Sequence, residues 1–197
     1  MCSDDRISKE VYYLNIARQV AMRGTCLRRN YGAVIVKNDK IVSTGYTGAP
    51  RKRANCNWIG RCIRMEKNIP SGERYELCRS VHAEMNAIIS ASSEELKDST
   101  LYLYGWDVEH NCEKIGPKPC TLCERMIINA EIKEVITFDP EDKKGYGKEN
   151  VEREFIVIPV EYFVNNDPSY KDLDVWRTKD GMLCHVYDKS EGFDPIK

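Results

Sequence analysis

No stretch of this 197-residue sequence stays apolar for more than a few residues, far short of the ~20 that a membrane helix needs, so no bilayer-spanning segment is expected. The opening Met1-Cys2-Ser3-Asp4-Asp5 has no basic-then-apolar run of the kind that marks a secretory leader. An excess of one charge is missing too: 30 Lys and Arg against 31 Asp and Glu leave a formal net charge of −1, which does not imply a polyanion-binding chain. Internal repeats and low-complexity tracts are absent, and histidine is scarce, with three in all. What remains is the composition of an ordinary globular protein, 42% apolar and 31% charged, long enough for one core and a small appendage.

Cysteine is plentiful by contrast. Nine of them, in a sequence whose opening residues lack the leader pattern, lead us to expect a cytoplasmic setting, where thiols stay reduced, and uses other than disulfides. Two lie in Pro119-Cys120-Thr121-Leu122-Cys123, downstream of Val81-His82-Ala83-Glu84. A catalytic zinc takes three protein ligands and leaves its fourth tetrahedral place to water, and one imidazole with two thiolates suits it. If residues 120–130 are helical, Cys120 and Cys123 leave the same face of the first turn, where the positive end of the helix favours thiolate. His82 is then the third ligand. Glu84, two residues on, is placed to act as general acid and base. A Cys-x-x-Cys alone is often structural zinc or a redox pair, but structural zinc recruits a fourth protein ligand. A His-x-Glu followed by Pro-Cys-x-x-Cys, with a strand pattern between them, is the spacing of zinc-dependent nucleobase deaminases. Upstream, Cys26, Cys56, Cys62 and Cys78 could hold a second, structural zinc or be small buried hydrophobes; both readings stay open. Cys2, Cys112 and Cys184 have no assigned role.

Along the chain, Ser8 caps a helix from Lys9 to Met22 whose Val11, Leu14, Ala17 or Ile16, Val20 and Ala21 share a face, with Gly24 just past its end. Residues 33–36 and 40–44 read as strands joined at Asn38-Asp39. The turn Thr44-Gly45-Tyr46-Thr47-Gly48-Ala49-Pro50 allows backbone to approach a ligand. Residues 51–77 show no periodicity, only basic residues, three cysteines and the turn Ile69-Pro70-Ser71-Gly72, and so read as a functional loop. A helix over 84–96, a strand over 100–104, a polar excursion over 105–118, a helix over 121–130 and a strand over 134–138 follow. This alternation implies parallel strands joined by a right-handed crossover. After a charged loop at 141–150 come a strand near 155–160 and a hairpin, 174–178 with 182–187, around Lys179-Asp180-Gly181. We therefore expect a zinc-dependent domain over 1–160 and an extension over 161–197, packed on the domain or on a neighbouring subunit.

Beyond the metal motifs, Thr25-Cys26-Leu27-Arg28-Arg29, Gly32-Ala33-Val34-Ile35-Val36, Gly48-Ala49-Pro50, Pro70-Ser71-Gly72-Glu73-Arg74 and Met126-Ile127-Ile128-Asn129-Ala130 resemble the deoxycytidylate (dCMP) deaminases, within the cytidine deaminase-like superfamily. The likeness covers about residues 8–140. It implies an α/β/α three-layer sandwich around a mixed five-stranded sheet, with the metal held by His82, Cys120 and Cys123 between the starts of the second and third helices. It further implies Glu84 as proton shuttle, a homo-oligomer, dCTP and dTTP as regulators, and in some members a second zinc whose cysteines match Cys26 and Cys56. The implied reaction is hydrolysis of dCMP to dUMP and ammonia, supplying dUMP for thymidylate synthesis. Contacts to ring and sugar are expected from Ala83, Thr47 and Tyr46, and to the phosphate from Arg28, Arg29 and Arg51; neither a membrane nor a nucleic acid is an expected partner. Two positions depart from the family pattern. Thr47 replaces an Asn implied to contact the sugar, which opens the alternative of another aminated pyrimidine or purine nucleotide, a nucleoside or a tRNA base. Glu131 stands where a helix-ending Gly is usual. A non-catalytic, zinc-stabilised nucleotide-binding module is the remaining alternative, and the intact Glu84 speaks against it.

Overall fold

A computed structural model describes residues 6–114, 116–142, 151–167, 175–177 and 183–185, the last two segments as backbone. Cys2, most of the charged loop over 141–150 and the hairpin turn Lys179-Asp180-Gly181 lie outside the described residues. The chain divides into two units, Met1–Val160 and Glu161–Lys197. Among the described residues no helix is long and apolar enough to cross a membrane.

In the first unit, α1 (Lys9–Ala21) starts where the Ser8 hydroxyl accepts the Val11 N–H at 3.3 Å, and it buries Val11, Leu14, Ala17 and Ala21 along one stripe. Strands β1 (Arg29–Lys37) and β2 (Lys40–Tyr46) form an antiparallel hairpin longer than the apolar runs alone indicate. Its loop residues Asn38 and Asp39 hold φ at 50° and 62°, the left-handed backbone that a two-residue hairpin loop needs. The aperiodic stretch contains two short helical turns, α2 (Cys56–Ile59) and α3 (Ile63–Glu66), and a 3₁₀ turn at Tyr75–Leu77.

The helix expected over 84–96 is two helices, α4 (Ala83–Ile89) and α5 (Ser93–Leu96). Serines break it. Ser90 turns its hydroxyl back to the Asn86 carbonyl, and Ser92 begins α5 with a capping box closed by Glu95. Then follow β3 (Thr100–Asp107), β4 (Cys112–Lys114), α6 (Thr121–Asn129), β5 (Glu134–Phe138) and β6 (Phe155–Pro159).

The sheet runs β2-β1-β3-β5-β6, mixed as expected: β3 and β5 are parallel, with α6 as their crossover, and the other neighbours are antiparallel. β4, which the polar excursion concealed, folds back on the end of β3 as a sixth strand. Helix α1 covers one face, packing with Val34, Val36, Tyr102, Tyr104, Ile136 and Phe138. By strand alternation, the buried Ala33, Ile35, Leu101, Leu103 and Val135 point to the opposite face, where α4 and α6 lie side by side. The architecture is the three-layer α/β/α sandwich.

In the second unit, α7 (Val160–Asn166) starts at the boundary, and β7 (Val175–Arg177) pairs antiparallel with β8 (Leu183–His185), Val175 opposite His185.

Candidate metal centre and active site

Two helix starts build the centre. His82 is the N-cap of α4 and Cys120 the N-cap of α6, with Cys123 in the first turn of α6. Val81, just before His82, exchanges backbone hydrogen bonds with Gly48 beyond β2, at 2.7 and 3.3 Å, which fixes the approach to α4. The His82 Nδ1 atom lies 3.3 Å from the Cys120 sulfur and 3.4 Å from the Cys123 sulfur. The three ligand atoms are all within 4.8 Å of one another. Zinc bonds of about 2.3 Å to sulfur and 2.0 Å to nitrogen, at a tetrahedral angle, separate S from N by about 3.5 Å, so the set fits the ion.

The acid–base state follows from the same contacts. A hydrogen bond from the Cys123 thiol, aided by His82, draws Cys120 down to about 4. The thiolate at Cys120 and burial push Cys123 up. For His82, burial favours the neutral ring, but the Cys120 contact and the Glu84 charge outweigh it and raise the group. Glu84 is 4% exposed; burial raises its carboxyl, which also meets the Cys123 thiol. A dication facing both sulfurs would hold both as thiolates. The ring of Tyr75 meets His82 edge-on at 4.8 Å.

Above the centre opens a small cavity of about 90 Å³. His82, Glu84 and Cys120 line it, with Tyr31 and Thr47 on the wall and Arg28, Arg29, Arg64 and Lys118 around it. Thr47 is buried and its hydroxyl oxygen accepts the Tyr31 N–H at 3.0 Å, so this oxygen already serves to hold the end of β2 to β1.

Three expected substrate contacts lie elsewhere. Ala83 is fully buried against the sheet, with its carbonyl facing Gly45, because it opens the helix that packs there. Tyr46 is 38% exposed, and its carbonyl accepts the Asn86 amide at 2.8 Å. Arg51 is exposed in the turn after β2 and does not line the cavity.

The four upstream cysteines are not gathered into a closed ligand set. Among the described residues, His82, Cys120 and Cys123 form the one group of three or more His, Cys, Asp or Glu ligand atoms that converges. The Cys26 sulfur instead accepts the N–H groups of Arg28 and Arg29 at 3.4 and 3.5 Å. Cys56 is buried with its sulfur 3.9 Å from the Ser80 hydroxyl, Cys62 caps α3, and Cys78 lines the cavity. Of the four only Cys56 matches the reading as a small buried residue; Cys26, Cys62 and Cys78 are half-buried, and Cys26 lies near enough to Cys56 and Cys78 for their charges to raise its thiol alongside burial. His110 is exposed and pairs with Asp107 at 3.1 Å, away from the metal set.

Sequence reasoning missed Arg64, Tyr75, Tyr31 and Ser71, all of which line the cavity. Arg64 and Tyr75 come from the aperiodic stretch, where no pattern separates an inward arginine from a solvated one.

The model of the "Cytidine and deoxycytidylate deaminase zinc-binding region" matches residues 7–139, a span that holds the whole metal set. The chain belongs to this deaminase family. Zinc is the metal of its centre. Among relatives, the deoxycytidylate deaminase of Schizosaccharomyces pombe is 33% identical over 131 residues, covering 66% of this chain and 37% of that protein. That of Mycobacterium phage D29 is 33% identical over 129 residues, covering 64% of this chain and 90% of the phage protein. The chain thus spans little more than a third of the yeast deaminase and most of the phage one. The dCMP deaminase of cyanophage S-TIM5, crystallised in complex with dCMP and dUMP, is 25% identical with a TM-score of 0.45, covering 66% of this chain and 81% of that one.

Proposed function

We propose that the protein is a zinc-dependent hydrolase that converts dCMP to dUMP and ammonia and so supplies dUMP for thymidylate synthesis. The observation that carries this is an imidazole and two thiols converging beside a buried carboxylate, at the floor of a cavity ringed by arginines. We assign the catalytic domain to residues 1–160 and an appendage to 161–197. His82, Cys120 and Cys123 hold the zinc, and Glu84 moves the protons.

When bound, zinc supplies Lewis acidity that lowers the pKa of a water in its open position from about 15.7 to about 7. The Glu84 carboxylate would accept a proton from the attacking water and deliver it to N3 of the cytosine ring as oxygen adds at C4. It would then take the proton of the new C4 hydroxyl and pass it to the amine as the C4–N bond breaks, so one water is consumed and one ammonia released. Burial around Glu84 excludes bulk solvent from this transfer. Arg28 and Arg29 supply charge for the phosphate.

Thr47 supports a second reading within the same chemistry. Its oxygen already accepts the Tyr31 N–H, so toward a sugar it offers a hydroxyl hydrogen and one remaining lone pair but no amide, a change in the pentose contact that would favour a different aminated nucleotide. Exposed Ile89 and Leu122, on the adjacent helices α4 and α6, support assembly as a homo-oligomer. The unpaired state of the described cysteines suits a cytoplasmic setting.

Ammonia release from dCMP, CMP, deoxycytidine, cytidine, 5-substituted dCMP and adenine nucleotides, with and without dCTP or dTTP, tests the assignment. Turnover of dCMP is expected, and Glu84→Gln should keep its zinc while losing about 10²- to 10⁴-fold in kcat. Inert dCMP beside another active substrate would give the reaction to that substrate. A metal-loaded Glu84→Gln at full rate would remove Glu84 from the chemistry.

A further inference from the structure

Arg64 lies on α3, lines the cavity and is 7% exposed. Its Nη2 donates to the Pro70 carbonyl at 2.9 Å, and its guanidinium sits over the Tyr75 ring, 4.7 Å from the centroid. Its Nε is buried with no hydrogen-bond partner. Arg29, Arg61, Arg74 and Arg153 each have a carboxylate within ion-pair distance, whereas Arg64 has none among the described residues. A guanidinium taken out of water with one carbonyl and one aromatic face for company is strongly disfavoured unless an anion completes its surroundings.

The neighbouring cations are held by the same short turn. Arg28 donates to the Ile69 carbonyl at 3.0 Å, and Arg29 donates to the Ser71 hydroxyl while pairing with Asp107 at 3.4 Å. Three successive residues, Ile69, Pro70 and Ser71, thus each take one guanidinium, and all three guanidiniums belong to residues lining the cavity. Of these arginines only Arg29 has a carboxylate partner among the described residues. The Tyr75 ring, which Arg64 covers, is the ring that meets His82, so the cationic cluster and the metal ligands share one wall.

We propose that Arg64 is the specificity residue that selects a phosphorylated substrate, its cavity-lining guanidinium pairing with a phosphate monoester oxygen in a nest completed by Arg28 and Arg29. The inference rests on the deaminase reading above for the identity of the nucleotide. Its physical content is independent of the base: an anion of phosphate geometry supplies the missing counter-charge.

The test uses the zinc-loaded full chain, its Arg64→Gln variant and Arg64→Lys, which keeps the charge without the planar fork. With dCMP, Arg64→Gln should lose on the order of 10²-fold in kcat/KM, whereas deoxycytidine should change less than about 3-fold. Inorganic phosphate should raise the melting temperature of the unsubstituted protein, and Arg64→Gln should at least halve that rise. Equal losses on both substrates would reduce Arg64 to a prop for Tyr75 and overturn the proposal, as would an unchanged dCMP rate or an unchanged phosphate effect. If dCMP is not turned over at all, the deaminase reading fails, and the phosphate-dependent melting alone decides: a rise that Arg64→Gln diminishes upholds the site, and no rise overturns it. Should Arg64→Gln not fold, Arg64→Lys takes its place, with a selective loss on dCMP or a smaller phosphate effect expected and wild-type behaviour in both overturning the proposal.

Discussion

Glu131 follows α6 with φ at +54°, in the left-handed region where a Cβ costs on the order of 1 kcal/mol. The hydrogen bonds show why the backbone accepts this. The Ile132 N–H reaches the Ile127 carbonyl at 3.3 Å and the Glu131 N–H reaches Ile128 at 3.0 Å, a Schellman closure, with Ile127 and Ile132 both buried beneath it. The Glu131 side chain pairs with Lys97 at 2.9 Å, but both are mostly exposed, so this pair contributes little in return. Glu131→Gly should therefore stabilise the protein by about 0.5–1 kcal/mol, with a melting temperature higher by roughly 1–4 °C. Glu131→Ala, which loses the ion pair and keeps the strain, should show no gain; if both variants melt alike, the backbone account is wrong. This strain could be anticipated because a helix-ending position has one dominant residue preference. Arg64 could not, since a charged residue in an aperiodic loop reads as solvated until the cavity around it is seen.

Helices and strands meet through two glycines. A Cβ on Gly45 would lie 2.2 Å from the Ala83 carbonyl oxygen and 2.3 Å from the Ala87 nitrogen, both backbone atoms of α4. A Cβ on Gly32 would lie 2.1 Å from the Ala17 oxygen and 2.5 Å from the Ala21 nitrogen, in α1 on the opposite face. Neither helix backbone can yield as a side chain would, so each Ala substitution should cost about 3 kcal/mol, at the upper end of overpacking. The two should differ in function. Gly45→Ala displaces the helix that begins at His82 and should weaken zinc retention, whereas Gly32→Ala should melt lower with zinc binding unchanged. Equal zinc loss in both, measured by metal analysis after dialysis, would show that the centre responds to general destabilisation rather than to the position of α4. The order of elements from α1 to β6 was legible because each long element carries its own period, 3.6 or 2, in apolar residues. The break between α4 and α5 was hidden because Ala91 continues the apolar pattern while the interruption comes from serine hydroxyls competing for backbone bonds. β4 was hidden by its length of three residues and its polar surroundings.

At the scale of the molecule, the metal joins parts of the chain that nothing covalent links. Its ligands stand 38 and 41 residues apart and belong to the starts of two separate helices on the same face of the sheet. An ion bound only by the folded arrangement stabilises it by mass action, about 2.7 kcal/mol when free zinc is 100-fold above its dissociation constant. For a chain of this size each kcal/mol moves the melting temperature by about 2–4 °C, so complete chelation should lower it by about 5–10 °C, and zinc alone should restore it. Cys120→Ser, which removes the thiolate held lowest, should already melt near the chelated value and respond little to further chelator. The bury-and-pack core on the α1 face owes nothing to the ion, so the chelated protein should keep its far-ultraviolet dichroism at 25 °C while losing turnover. A chelated protein shown by metal analysis to be zinc-free, yet melting where the loaded one does, would mean that α4 and α6 are held in place by packing alone and that the ion serves the chemistry without supporting the fold.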